Sequence, residues 1–364
     1  MILVLLSTSH IGGAALAAHR APHGSIVLLD ARTGALVARV AANGAVVAAI
    51  ADGRGGWFVG GSFTRLGGRR QVALAHVLRD GGIDPSWRAS IGSASGRPVA
   101  VYALARAGSR LFVAGPFGRV GGLQRPGLAA VDARTGAVVS GWEPRPLVWW
   151  DVGALAVAGP RLLVAGQFGY PAPGIAALNT RTGTFERGWN ARLRLIPDAG
   201  SFNSLLVRGS RVYVAGSFHA SFLPRNGLVA LAARTGRPDP RFAPRVANCS
   251  VCRGFAVLYG LAASQRRVYV SGAFARIGGV ARDGLAALDP HTGAVDRTWH
   301  PAAGGTDVLR LALVGSRLYL GGLHGLVALD TQTGARLFLP RLPRPREVLA
   351  LAASGRRLLA AGRD

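Results

Sequence analysis

Three carboxylates hold the same place in a recurring pattern. Asp151, Asp307 and Glu347 each stand one residue before a run of small and apolar residues, at Val152, Val308 and Val348. Carboxylate oxygens converging from separate repeats are the donors that Ca²⁺ prefers, and could otherwise serve as an acid–base pair. The same groups could instead pair with Arg65, Arg119 or Arg276, which follow the same repeat. Trp149 and Trp150 adjoin Asp151, and an aromatic pair beside a charge suits a sugar or a protein partner if exposed, or a packed rim if not. Cys249 and Cys252 form a C-x-x-C without further ligands at zinc spacing, which leaves a loop-pinning disulfide or two inert thiols. No other metal site is expected, and calcium is the one cofactor these residues would admit.

Arginine is the most regular of the reactive types. Arg110, Arg161, Arg211, Arg267, Arg317 and Arg357 each open one apolar run, while Arg32, Arg79, Arg134, Arg181 and Arg234 sit in a second set of turns. Placed on one face, they would sum into a positive field suited to an anionic polymer. No aromatic interleaving or nucleic-acid motif accompanies them, so specific nucleic-acid binding is not expected.

The whole composition sharpens that charge. Among 364 residues, the 43 basic side chains are all arginine against 17 acidic ones, a net charge of +26. Hydrophobic residues make up 49% of the chain, aromatics only 7%, and there are 52 glycines. Such a mixture suits thin sheets packed through Ala, Val and Leu. Absence of lysine is the mark of a GC-rich coding sequence, so part of the excess could be mutational rather than functional. No uninterrupted apolar stretch of about 18 residues exists, and a membrane-spanning helix is not expected. Residues 1–24 read either as the remnant of an export signal, through Ile2–Leu6 and Ala14–Ala18, or as an extra strand or misplaced start.

The elements that would position these groups recur about every 50 residues. A glycine ends an apolar run at Gly61, Gly115, Gly166, Gly216, Gly272, Gly322 and Gly362, and Phe63, Phe117, Phe168, Phe218 and Phe274 follow two residues later. A turn glycine recurs at Gly34, Gly81, Gly136, Gly183, Gly236, Gly293 and Gly334. Short apolar runs separated by such turns predict antiparallel strands. In Asp132-Ala133-Arg134-Thr135-Gly136 the Asp accepts amides across the turn and Gly takes positive φ. Four strands per unit and seven units predict an all-β, seven-bladed β-propeller over residues 25–364. The chain closes with two strands, 347–353 and 357–361, and opens with the complementary two, so one blade would be stitched from both termini.

These residues resemble a known family. Gly60 to Gly68 (Gly-Gly-Ser-Phe-Thr-Arg-Leu-Gly-Gly), Ile83-Asp84-Pro85-Ser86-Trp87 and Leu285 to Gly293 look like the delta-60 repeat, a propeller repeat of bacterial secreted and surface proteins. The resemblance implies the fold and an exterior or cell-envelope setting, and no general activity. The last copy departs from it, with His324 in place of the phenylalanine. Trp87, Trp142, Trp189 and Trp299, with Phe242 in the same place, are expected to dock between blades rather than to stack on a cofactor.

The expectation is a monomeric, non-enzymatic binding or scaffold propeller that holds an anionic polymer or a protein on one face. The alternative is a hydrolase- or lyase-like enzyme with its site at the channel mouth.

Overall fold

The computed structural model describes residues 23–93, 96, 98–144, 152–166, 174–191, 193–195, 200–220, 226–247, 256–304, 307–340 and 345–364. Among them every regular element is a strand. Six sheets follow in chain order, each with an inner strand joined by a hairpin to a second strand and then to a third. Their inner strands are Val46–Ala51, Ala103–Ala107, Val152–Ala158, Ser201–Arg208, Val257–Ala263 and Val308–Val314. A further sheet, the terminal one, takes its inner pair from Glu347–Ser354 and Arg357–Arg363 and its outer pair from Gly24–Asp30 and Leu36–Ala42. Gly24–Asp30 pairs with Arg357–Arg363 residue for residue, from Gly24 opposite Arg363 to Asp30 opposite Arg357.

Second strands such as Trp57–Gly61 and Arg161–Gly166 are buried almost throughout, because a neighbouring sheet covers each of their faces. The apolar clusters accordingly straddle sheet boundaries. Phe112, Trp142, Leu162 and Leu178 join the second sheet to the third. Tyr269, Trp299, Leu318 and Leu329 join the fifth to the sixth. Ile26, Leu359, Val46 and Trp57 join the terminal sheet to the first. Each inner strand contacts the inner strand of the next sheet, and Glu347–Ser354 contacts Val46–Ala51.

Both glycine landmarks have physical reasons. A Cβ on Gly322 would overlap the carbonyl oxygen of Asp307, and the same overlap meets Gly362 at Glu347 and Gly61 at Ala45. A bulge at the start of each of these inner strands, such as that between Val308 and Arg310, pushes that carbonyl inward. The turn glycines adopt positive φ: Gly136 at 80° donates its amide to the Asp132 carbonyl, while Asp132 Oδ1 accepts the amides of Arg134 and Thr135 at 2.9 Å.

Candidate functional site

The arginines that open the second strands lie between sheets. Arg110 donates to the Thr180 carbonyl of the next sheet at 2.6 Å. Arg211 donates to the Pro290 carbonyl at 2.6 Å and pairs with Asp239 at 2.6 Å. Arg267 pairs with Asp296 at 2.6 Å and donates to the Thr331 carbonyl. Arg357 donates to the Arg79 carbonyl at 2.6 Å, and Arg161 pairs with Glu186 of its own sheet at 2.5 Å. Arg317 lies beside Tyr319, whose hydroxyl donates to the Ala31 carbonyl at 2.7 Å. A guanidinium offers five donors in a fixed fork, which lets one side chain hold its own outer strand and the neighbouring turn together.

Tryptophans complete the joint. Trp87, Trp142, Trp189 and Trp299 are buried, and each indole N–H donates at 3.0–3.2 Å to a turn carbonyl of the next sheet: Ala133, Asn179, Ala233 and Asp330. The residue after the ring adds a backbone bond, as in Arg88 N–H to Thr135 and His300 N–H to Thr333. Phe242 takes the place of tryptophan in one joint, where the Tyr213 hydroxyl donates to the Pro290 carbonyl at 2.7 Å, a kind of bond that Tyr269 also makes beside Trp299.

One constellation escaped the sequence reading. His76 Nδ1 lies 2.9 Å from Asp84 and Nε2 3.0 Å from Asp52, with Phe58 stacked on the ring at 4.7 Å. Carboxylates only accept, so this geometry asks both ring nitrogens to donate. Asp84 lies three residues after its turn glycine, as do Glu186, Asp239 and Asp296, the carboxylates that arginine holds in other sheets. The first sheet has Gly56 where the others have arginine, and His76 stands in as partner. Partial burial works to raise the Asp84 pKa. Hydrogen bonds from the Ser86 hydroxyl, the His76 ring and the Ser86 amide outweigh it and bring the value down to about 2. Burial likewise opposes the bonds from Arg54, His76 and Gly56 at Asp52, and the net shift is downward. The signal in the sequence was the glycine-rich hairpin Asp52–Gly56 replacing a Gly-Ser-Arg turn.

The expected channel-mouth residues are dispersed in their contacts. Asp307 lies 3.3 Å from His324, both well exposed, and Glu347 lies 3.9 Å from Arg363. The arginines expected to pair with these carboxylates point elsewhere: Arg65, Arg119 and Arg276 donate to Gly68, Gly122 and Gly279 of their own loops at 3.2, 3.0 and 2.7 Å. Among the described residues no group of three or more His, Cys, Asp or Glu side chains could hold a metal ion. Asp151, Trp149 and Trp150 lie outside the described residues, as do Cys249 and Cys252.

A second class of arginine remains on the surface. Arg32, Arg134, Arg181 and Arg234 are exposed, each next to the Thr of a Thr-Gly turn. The first two use only their amides to build the turn around Asp30 and Asp132, and Arg181 does the same with Asn179. No helix among the described residues is long and apolar enough to cross a membrane.

Solved structures similar to this chain, all at low sequence identity, include a β-propeller. The WD40 β-propeller domain of Doa1 matches with a TM-score of 0.52 and 11% identity, covering 88% of this chain and 93% of that one. The computationally designed protein Ika8 matches at 0.51 and 14%, over 88% and 93% of the two chains. The extracellular domain of BT4673, a one-component system of B. thetaiotaomicron, matches at 0.55 and 14%, over 88% of this chain and 38% of that one. The fold is therefore that of a β-propeller. No protein-family model matches the chain, and no curated protein matches it. The comparisons thus support the propeller implied by the delta-60 resemblance, and go no further toward that family.

Proposed function

We propose that this chain is a seven-bladed propeller, with one blade shared by its two termini, acting as a non-enzymatic binding or scaffold protein of the cell envelope or exterior. An anionic partner lies across the face that carries the Thr-Gly turns. Blade number and closure are supported by the repeated landmarks, the pairing of Gly24–Asp30 with Arg357–Arg363, and the contact between the first and last inner strands. The exterior setting is supported by the delta-60 resemblance, and one structural relative is an extracellular domain.

The observation that carries the binding reading is the division of labour among arginines. At the strand starts Arg110, Arg211, Arg267 and Arg357 tie neighbouring sheets together, whereas Arg32, Arg134, Arg181 and Arg234 project from equivalent turns into solvent. Exposed arginines on a common face attract a polyanion through contacts that release counterions, so affinity falls as salt rises. Heparin binding measured by fluorescence titration from about 50 to 300 mM salt tests this. Replacing the four with glutamine is expected to flatten the dependence of log affinity on log salt by up to about four contacts' worth, with thermal stability unchanged. Retention of the parent's slope and affinity would discard this face as the binding surface.

A further inference from the structure

The joint between the terminal sheet and the first differs from the others. In place of a short turn leading to arginine, the first hairpin is Asp52-Gly53-Arg54-Gly55-Gly56 and leads into Trp57. The Trp57 indole reaches back to the Ala352 carbonyl at 3.0 Å, while Arg357 reaches forward to the Arg79 carbonyl. Between these two ties opens a cleft of about 640 Å³, bounded by Asp30, Gly53, Gly55, Arg79, Arg356 and Arg357. That volume lies in the range of small-ligand sites.

Charge in the cleft is one-sided. Three arginines and one aspartate line it, and Asp30 Oδ1 is already occupied by the amides of Arg32 and Thr33 and by the Thr33 hydroxyl. Gly55, at φ 102°, leaves room for the stem of Arg79, whose Cδ lies 3.3 Å from where a Cβ would stand. On the other flank of the hairpin, Arg106 Nη1 lies 3.0 Å from the Cβ position of Gly53. Arg357 has its carbonyl partner, but Arg79 and Arg356 are exposed and their side chains bond to no described residue. Forked donors gathered around a concave space without a matching acceptor are suited to an oxyanion, which accepts from several guanidiniums at once.

We infer that this cleft binds a small, multiply charged oxyanion ligand, a phosphate, sulfate or polycarboxylate compound, gripped by Arg79 and Arg356 with Arg357 at its back. The site uses arginines outside the four assigned to the polymer face and takes a small anion, so each idea can fail without the other.

Isothermal titration of pyrophosphate into the full chain at low salt reads the site, with sulfate and malonate titrated in parallel to separate the three chemistries. Saturable binding near one equivalent is expected for at least one of them. The double variant Arg79→Gln, Arg356→Gln should weaken it at least tenfold, and either single variant gives the same reading if the double fails to fold. The pair Arg69 and Arg70 lies at the far end of the sheet, beyond Ala42 and Leu66, and its glutamine variant should bind as the parent does. Absence of saturation with all three anions would overturn the inference. So would unchanged affinity in the cleft variants, or an equal loss in the Arg69, Arg70 control.

Discussion

Residue type names a group's chemistry, but its neighbours decide the use. Arg211 and Arg234 are equally cationic, yet one is held by Asp239 and the Pro290 carbonyl while the other faces water. His76 shows the same dependence, since its role follows from two carboxylates that are 24 and 8 residues away in sequence. Asp84→Asn should therefore cost about 1–2 kcal/mol near neutral pH, through the charge-assisted bonds it loses. The pH dependence has a definite sign. Asp84 has a folded pKa lowered to about 2, so its stabilising contribution is complete above the ordinary carboxylate value near 3.9 and is lost as pH falls through about 2. Urea unfolding of parent and variant from pH 6 to pH 2 should show their stabilities converging at the acid end. A constant gap across that range would mean that the charge of Asp84 does nothing for the fold.

Within an element, the repeat preserves backbone clearances as strictly as apolar character. At Gly61, Gly216, Gly272, Gly322 and Gly362 the landmark glycine of the second strand sits under a carbonyl displaced by the bulge opposite, and no side chain fits there. Gly322→Ala should destabilise by on the order of 2–4 kcal/mol, because either the bulge or the strand must move. Gly141, with nothing within 4 Å of its Cβ position, provides the contrast, and its alanine variant should stay within about 0.5 kcal/mol of the parent. Thermal denaturation compares the two directly, and equal effects would refute the clearance argument. Phe242 cannot donate to a turn carbonyl, and that joint keeps the tyrosine bond from Tyr213 to Pro290, as Tyr269 and Tyr319 keep theirs.

For the whole molecule, the decisive contact joins residues more than 300 apart: Ser25 opposite Gly362, with the Ser25 hydroxyl donating to Asp364 at 2.5 Å. Removing residues 347–364 would strip from one side of Gly24–Asp30 its paired strand and the strand beyond it, and uncover the apolar faces of Val46 and Trp57. The truncated chain should lose cooperative thermal unfolding and aggregate, as open sheet edges do. A sharp transition at the parent's temperature would show that the terminal sheet does not hold the array together. Charge acts at this scale too, since a net +26 leaves few carboxylates to neutralise the surface, and those at the joints are already engaged.

What could be read from the sequence was local or periodic. Strand alternation, the Asp-x-x-Thr-Gly turn and the glycine landmarks each arise within a few residues, so their chemistry and spacing are written side by side, and seven recurrences made a propeller the natural expectation. The docking of Trp87, Trp142, Trp189 and Trp299 between sheets was legible for the same reason, because equivalent residues in equivalent units meet equivalent neighbours. Which arginines hold the sheets and which face solvent was not legible, because that depends on carbonyls some 60 to 80 residues further on, such as Thr180 for Arg110 and Pro290 for Arg211. Only the tertiary structure places Asp52 against His76, or opens a cleft between the first sheet and the last. Those arrangements depend on how sheets distant in sequence pack against one another, and no local pattern encodes the distance between them.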